Sequence, residues 1–594
     1  MPHDKQIGGP RMLKKIISAT RKSLDKLTAG FKRFPEAITL AIFTIIILII
    51  LNHLDYRTMS IRNNLNKLAA VLALGIPLSL IIRLLFEKQP KMNIRFKIAF
   101  YLGVILGLIL YYLYGLNDFT MVPLTRYIAL SIAGYLIFLF TPYFYKRENF
   151  ELYSVQALTG FVITYFYAAV LYLGLSAILF TIQKLFLITW ENIIYYDVWL
   201  IVAGIFAPAY FLAEIPSLKS EMQISSFSKV LKVLFLYIVI PMMICYSLIL
   251  YIYFAKVILA QSWPAGIVAP LVLWFGLICS GVFFCIYPLR FSIRWLDKLL
   301  TLFPGFLFPL LAMMFVALGI RIHAYGITES RYFVLLAGLW ITFWMLYYLF
   351  AKKIRNIILP ISLALLAILS VIGPWSAYSI SKFDQNLRFT KILKKYDMFQ
   401  KGKIIRPSRP IATKEKAQII GILSYFKYSH SLKDVKYLPD NFKLSEMPRV
   451  LGFKVSPDDI VDRNGQSYFN YQFLNSQNNQ LTHIEGFDYF IANTQSDIIK
   501  ADTVKKLRIT YTLKTGELEI RDHDREIYLK KVSALVIPFC KKGTPPGGEP
   551  VTYLDDTAKV KVFYQFNTFS GQRDAITDVI NINYLDFVAF IKLK

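Results

Sequence analysis

The stretch Ala317-Leu-Gly-Ile-Arg-Ile-His-Ala-Tyr-Gly-Ile-Thr-Glu-Ser-Arg-Tyr-Phe333 is a short polar island between two long apolar runs, residues 299–322 and 331–351. Each run is close to the roughly 20 residues that an α-helix needs to cross the hydrocarbon core of a bilayer. The polar residues between them therefore predict a short loop that joins two membrane-spanning helices. Four side chains in this island can carry a charge: Arg321, His323, Glu329 and Arg331.

Nine further apolar runs surround this pair of helices. They occupy residues 35–54, 67–86, 97–116, 125–145, 155–180, 193–215, 229–255, 264–288 and 356–379. Of the 594 residues, 56% are hydrophobic and only 18% are charged, which is unusual for a soluble protein of this size. The sequence thus predicts an α-helical polytopic membrane domain over residues 35–381, with about 11 transmembrane helices. The regions 155–189 and 227–260 exceed one crossing, which predicts tilting, an interfacial extension or a break.

The basic residues of the membrane domain are distributed unequally between its two sides. If the amino terminus is cytoplasmic, the amino-terminal segment and the loops on its side hold 25 Lys and Arg, whereas the opposite loops hold eight. Because basic loops are retained in the cytoplasm, this asymmetry predicts a cytoplasmic amino terminus. An odd number of helices then places the carboxyl-terminal domain outside the cytoplasm. Membrane topology also explains much of the formal net charge of +29 without a nucleic-acid partner.

The two ends of the chain differ from its apolar centre. Residues 1–34 predict a basic amphipathic segment on the cytoplasmic side, because apolar residues recur at helical spacing among lysines and arginines. Residues 382–594 have a mixed composition and predict a small extracytoplasmic α+β domain with an antiparallel sheet. The patterns that support this are a helical one at 411–429 and alternating ones at 506–520, 559–566 and 579–584.

Five motifs lie between residues 206 and 490: Phe206-Ala-Pro-Ala-Tyr-Phe-Leu-Ala-Glu-Ile-Pro216, Tyr287-Pro-Leu-Arg290, Tyr325-Gly-Ile-Thr-Glu-Ser-Arg-Tyr-Phe333, Gly373-Pro-Trp-Ser376 and Ile484-Glu-Gly-Phe-Asp-Tyr-Phe490. Together they resemble the bacterial membrane proteins grouped as the domain of unknown function numbered 4153. One departure is Ala207-Pro208-Ala209-Tyr210, where the family is expected to have an asparagine-proline-tryptophan type of sequence. The resemblance implies a bacterial envelope context and no particular reaction.

The polar island has two interpretations. In the first, Thr328 caps the following helix, Glu329 lies at the positive end of the helix dipole, and Tyr325, Arg331 and Tyr332 anchor the membrane interface. In the second, the four charged side chains of the island converge on a cavity at the outer membrane face. There a carboxylate can accept a proton and guanidinium groups can hold an anion.

Glu214 is a further candidate, because an ionised carboxylate near a membrane span has to face water or a basic partner. We place it at the cytoplasmic end of the sixth helix. No metal site and no cofactor are predicted: the motif Asp522-His-Asp-Arg525 is interpreted as a solvated turn, and the cysteines form no metal-binding pair. The cysteines are Cys245, Cys279, Cys285 and Cys540. Nucleotide-binding, zincin and serine-hydrolase motifs are not found, and no catalytic residue is identified.

Three functions remain open for a multi-pass protein of the bacterial inner membrane. The first is a module that binds or moves a cell-envelope component, with an envelope protein or a lipid-linked molecule as partner besides the bilayer. The second is a membrane enzyme that acts on a lipid-linked substrate at the outer face, with Glu329 or His323 as acid or base. The third is a non-catalytic assembly or sensory scaffold. The single carboxylate of the island favours a role without catalysis.

Overall fold

The chain forms two compact units. The first comprises the described residues up to His323 and those from Ile327 to Ser381, and the second comprises Ala324–Gly326 and the described residues from Lys382 onward. The computed structural model describes residues 21, 25–54, 59–88, 93–143, 149–186, 192–216, 227–260, 268–400, 403–439, 441–453, 466–472, 486–491, 498–502, 507–512, 515–523, 525–541, 551–574 and 579–594. Much of the predicted amphipathic segment, residues 1–20 and 22–24, lies outside them.

Ten helices in the described part of the first unit are long and apolar enough to cross a membrane. They are α1 (Pro35–His53), α2 (Met59–Glu87), α3 (Ile94–Gly115), α4 (Met121–Tyr143), α5 (Phe150–Leu185), α6 (Ile193–Glu214), α7 (Lys229–Ala260), α8 (Val268–Phe291), α9 (Arg294–Tyr325) and α10 (Glu329–Phe350). Proline begins α1, where its missing N–H costs no hydrogen bond within the helix. The prediction of a polytopic helical domain is confirmed.

The eleventh apolar run is divided between two helices. Its first part forms α11 (Ile358–Val371), which has 14 residues. At a rise of 1.5 Å per residue this helix is about 21 Å long, shorter than the hydrocarbon core of about 30 Å. Its last residues begin α12 (Ala377–Lys395), after a break at Gly373 with a φ of +90°. Within the described residues, the 11 predicted helices are therefore ten long ones and a short one.

The two predicted long regions differ in their backbone. In region 155–189, α5 continues without interruption to Leu185, and residues 187–191 lie outside the described part. In region 227–260, α7 contains a π-helical turn. Such a turn is wider than an α-helical turn and is frequent at functional sites. The π turns seen in the described helices are Tyr111–Gly115 in α3, Val202–Phe206 in α6 and Leu234–Val239 in α7.

Apolar side chains of the first unit pack into two large cores. One core joins α7, α8, α9 and α10 and contains the fully buried Phe283, Met314 and Trp344. The other joins α1, α2, α4, α5 and α11 and contains the fully buried Phe34 and Phe150. Helix α3 contributes no buried residue to either core. Its exposed apolar side chains suit contact with lipid chains, which are as apolar as leucine.

The second unit is an α+β structure with antiparallel sheets, as predicted. Its helical part packs α12 against α13 (Thr413–Ser429) and the short α14 (Met447–Val450) around the buried side chains of Phe389, Leu423 and Met447. A two-stranded ribbon, β1 (Phe399–Gln400) with β2 (Lys403–Ile404), lies between these helices in sequence.

Two larger sheets share a second core with α15 (Val532–Lys541). One sheet has the order β5-β6-β7-β8, and the other has the order β3-β10-β11-β4 with β9 also paired to β10. The strands are β3 (Gln466–Gln472), β4 (Tyr489–Ile491), β5 (Ile498–Asp502), β6 (Leu507–Thr512), β7 (Glu517–Asp522), β8 (Arg525–Lys531), β9 (Val551–Asp556), β10 (Val560–Asp574) and β11 (Ile580–Leu593). The three alternating patterns noted in the sequence lie in β6 with β7, in β10 and in β11.

Candidate functional site

The polar island forms the end of α9, a short connection and the first turn of α10. Glu329 is only 2% exposed and Arg331 only 6% exposed, and Thr328 beside them is buried as well. Two opposite charges are therefore removed from solvent within one helical turn. In contrast, His323 is exposed and Arg321 is partly exposed. The structure thus buries two of the four charged side chains of the island and leaves the other two partly or fully exposed.

Thr328 occupies the N-cap position of α10 with an extended backbone, but its side chain makes no capping hydrogen bond. Its hydroxyl lies 3.3 Å from the Ser330 hydroxyl instead. The prediction gave the N-cap position correctly but not the hydrogen bond, because the Thr328 hydroxyl contacts the Ser330 hydroxyl and not a backbone N–H of the helix.

The connection after α9 is held by residues that the sequence did not single out. The side-chain nitrogen of Gln385 donates a hydrogen bond of 3.0 Å to the carbonyl of Tyr325, and Arg388 donates one of 3.2 Å to the carbonyl of Ala324. These bonds satisfy carbonyl groups that the end of a helix leaves free. Gly326 has a φ of +79°, and a Cβ there would lie 2.6 Å from the Asp384 carboxylate. Tyr325 is therefore fixed through its backbone.

A second group of polar residues in the first unit belongs to this end of the helices. Tyr378, at the start of α12, is buried and donates a hydrogen bond of 2.9 Å to the Thr125 hydroxyl in α4. The guanidinium carbon of Arg126 lies 5.7 Å from the centre of the Tyr378 ring. Burial raises the pKa of Tyr378, while the hydrogen bond with Thr125 and the positive charge of Arg126 lower this pKa in part and Glu329 raises it slightly. Tyr378 therefore contacts two consecutive polar residues near the start of α4, Thr125 and Arg126.

Two donors, one near the end of α3 and one near the start of α4, have no hydrogen-bond partner among the described residues. They are Nε of Arg126 and the hydroxyl of Tyr111, and both atoms are buried. Tyr111 is the first residue of the π turn that ends α3. The sequence could not identify these two residues, because lone tyrosines and arginines near span ends are ordinary interface anchors.

Glu214 lies at the end of α6, as predicted, and has a basic partner. Its carboxylate forms an ion pair with Lys26, which also lies 3.3 Å from the Tyr210 hydroxyl. The Glu214 side chain remains 35% exposed. It lines a cavity of about 220 Å³ together with Gln156 and Thr159 of α5. This carboxylate is therefore both paired and solvated.

The second unit contains a buried chain of hydrogen bonds. Tyr528 donates one of 2.9 Å to the Asp555 carboxylate, and its oxygen lies 2.8 Å from the hydroxyl of the fully buried Tyr564. Because the Tyr528 proton is directed at a carboxylate, Tyr564 is the donor to Tyr528. Lys530 completes the chain with an ion pair of 3.0 Å to Asp555.

In the described part of the chain, no group of three or more His, Cys, Asp or Glu could hold a metal ion.

Comparison with known proteins gives a family and no activity. Residues 30–396, more than half of the chain, match the family described as domain of unknown function DUF4153. The chain is also 24% identical over 274 residues to the uncharacterized protein PM1469 of Pasteurella multocida (strain Pm70). That match covers 45% of this chain and 46% of the relative, so it spans less than half of either protein. No solved structure matches. The chain belongs to the DUF4153 family, as its motifs indicated.

Proposed function

We propose that this protein binds a lipid or lipid-linked component of the bacterial cell envelope at the predicted outer ends of its helices. The observation that carries the proposal is the burial of Glu329 and Arg331 in the first turn of α10. Buried charges near a membrane span are costly and usually serve a ligand, an ion or a proton.

Successive helices cross the membrane in opposite directions, and this alternation supports the placement of all parts of the site on one side of the membrane. The end of α3, the start of α4, the start of α10 and the end of α11 all fall on the side with few basic residues. With a cytoplasmic amino terminus, that side is the outer face of the inner membrane. Residues 382–594 are proposed to lie on the same side, where they can contact an envelope partner.

The proposal is tested with the full-length protein, purified from its native membrane in a mild detergent. Lipids that co-purify are identified by native mass spectrometry for the wild type and for Glu329→Gln. Glutamine keeps the size of the side chain and removes its charge, so we expect the bound component to be lost. Asp297→Asn is the matched control, because Asp297 is half exposed and pairs with Arg290 at 3.2 Å at the other end of α9.

Retention of the same bound component by Glu329→Gln and by Arg331→Gln, at wild-type levels, would contradict the proposal. If the wild type carries nothing, binding of an envelope component is equally contradicted. A chemically altered form of the component that appears only with the wild type would instead support the enzyme hypothesis.

A further inference from the structure

We infer that the first half of β11 binds an extended acidic peptide segment of a partner protein, which adds to the sheet as a further strand. The site is a cavity of about 310 Å³ in the sheet region of the second unit. Its walls are the first half of β11, the turn between β6 and β7, and the beginning of α15. This site lies within the second unit and does not depend on the proposed function.

The first half of β11 has one edge with which none of the described strands pairs. β10 pairs with β11 along its whole length, from Ile580 to Leu593. On the other edge, β4 pairs only with Ala589–Ile591. The residues before this pairing include Ile580–Leu585, all of which line the cavity. Such an edge presents backbone N–H and C=O groups, which are a template for a strand from another chain.

The cavity lies along this edge and not over one face of the sheet. Ile580 and Leu585 belong to the buried core, whereas Asn581 and Asn583 are exposed. Successive side chains of a strand point to opposite faces, so a cavity that touches both sets has to follow the edge. At a rise of about 3.4 Å per residue, Ile580–Leu585 extend over about 17 Å, which suits a segment of about six residues.

The opposite wall is held close to α15 by a glycine. Gly516 has a φ of +69°, and a Cβ there would lie 2.9 Å from the hydroxyl oxygen of Ser533. Ala534 and Ile537 of α15 add apolar surface to this wall. Surface of this kind can receive alternate side chains of an added strand, while its backbone bonds to β11.

The charge of the cavity favours an acidic partner. Lys531 is exposed, and among the described residues that line the cavity it is the one with a charge. The neighbouring Lys530 pairs with Asp555, whereas Lys531 has no ion pair in the described part of the chain. A carboxylate of the partner therefore gains a charge-assisted hydrogen bond at Lys531.

Charge also disfavours a second copy of this chain as the occupant. Residues 383–594 hold 33 Lys and Arg against 24 Asp and Glu. Two copies carry charge of the same sign and repel each other, whereas an acidic segment is attracted.

The test uses the full-length protein in a neutral detergent and fluorescent hexapeptides in which valine and threonine alternate. One central position holds Asp, Glu, Gln or Lys. We expect the Asp and Glu peptides to bind, the Gln peptide to bind roughly tenfold more weakly, and the Lys peptide not to bind. The same peptides with a methyl group on every backbone nitrogen cannot donate to a strand and should not bind. Binding should also slow hydrogen exchange in Ile580–Leu585 and leave β9 unchanged.

Three variants locate the binding. Lys531→Glu should reverse the preference, so that the Lys peptide binds better than the Asp peptide. Ala534→Trp should abolish binding of all peptides, because a large side chain then fills the cavity; Ala534 is exposed, so the core is preserved. Lys592→Glu is the matched control, since Lys592 is an exposed lysine of β11 outside the cavity, and it should keep the wild-type preference.

Equal binding of the methylated and unmethylated peptides by the wild type, or binding of neither, would overturn the inference. Wild-type preference in Lys531→Glu together with wild-type affinity in Ala534→Trp would overturn it as well, because the peptide would then bind elsewhere. Binding of trigalacturonate without binding of peptides would overturn it in favour of an acidic glycan. Self-association that Ala534→Trp abolishes, again without peptide binding, would assign the edge to a second copy. Lipid binding by the first unit is measured separately, so either proposal can fail alone.

Discussion

Replacing Asp555 by alanine should destabilise the sheet region of the second unit. The change removes the acceptor of the Tyr528 hydroxyl, a hydrogen bond to a charged group that contributes about 1.5–3 kcal/mol. It also removes the ion pair with Lys530, which is partly exposed and contributes about 1 kcal/mol or less. The expected loss in free energy of unfolding is therefore about 2–3 kcal/mol.

Hydrogen exchange measured by mass spectrometry on the full-length protein in detergent reports this loss locally. Exchange of the β8 amides (Arg525–Lys531) should become roughly 30- to 150-fold faster in Asp555→Ala. The amides of α13 (Thr413–Ser429) belong to a different core and serve as an internal reference. Tyr564→Phe should accelerate exchange roughly tenfold or less, because it removes one neutral hydrogen bond.

The neighbouring Asp556 provides the control. It is exposed on the same strand and pairs with the exposed Lys594, so Asp556→Ala should leave β8 exchange unchanged. Equal exchange rates in Asp555→Ala and Asp556→Ala would show that the buried chain of hydrogen bonds does not stabilise this region.

Three further predictions concern pH, topology and domain structure. Burial raises the pKa of Tyr528 above its ordinary value of 10.0. As the pH rises above 10.0, the unfolded chain therefore loses this proton before the folded protein does. The free energy of unfolding should then fall by up to about 1.4 kcal/mol per pH unit. Denaturant titrations at several pH values should show a weaker dependence on pH for Tyr528→Phe. In spheroplasts of a variant without native cysteines, an impermeant thiol reagent should label Asn117→Cys but not Lys353→Cys. The reverse labelling pattern would show that the proposed orientation is inverted. Residues 382–594 produced alone should unfold cooperatively without detergent, and a fragment that aggregates would show that its cores need the membrane unit.

Sequence periodicity was sufficient for the helices and much of the sheet. Ten apolar runs became long helices, because a segment near 20 apolar residues has few other ways to satisfy its backbone in a membrane. The helix predicted at 356–379 was longer than the observed one. The break at Gly373 depends on a positive φ, which a hydropathy pattern cannot predict. For β6 and β7, the alternation of apolar residues matched the buried face.

The candidate site was predicted only in part. The charges of the polar island could be read from one stretch, and two of them proved to be buried. Arg126 and Tyr378 are more than 250 positions apart in the sequence, and their approach depends on how α4 and α12 pack. Local patterns carry no information on such pairs, so Arg126, Tyr111 and Tyr378 were missed.

Residues 25–33 approach α6 closely, which determines how these residues respond to salt. Residues 25–33 are helical, and a Cβ at Gly30 would lie 2.2 Å from the backbone oxygen of Ala209, so the two helices touch through their backbones. The ion pair between Lys26 and Glu214 weakens at high ionic strength, but contact between backbones does not. A helix bound to anionic lipids by charge alone would be released by salt. Residues 25–33 are also held by backbone packing against α6 and should therefore stay bound to it at high salt.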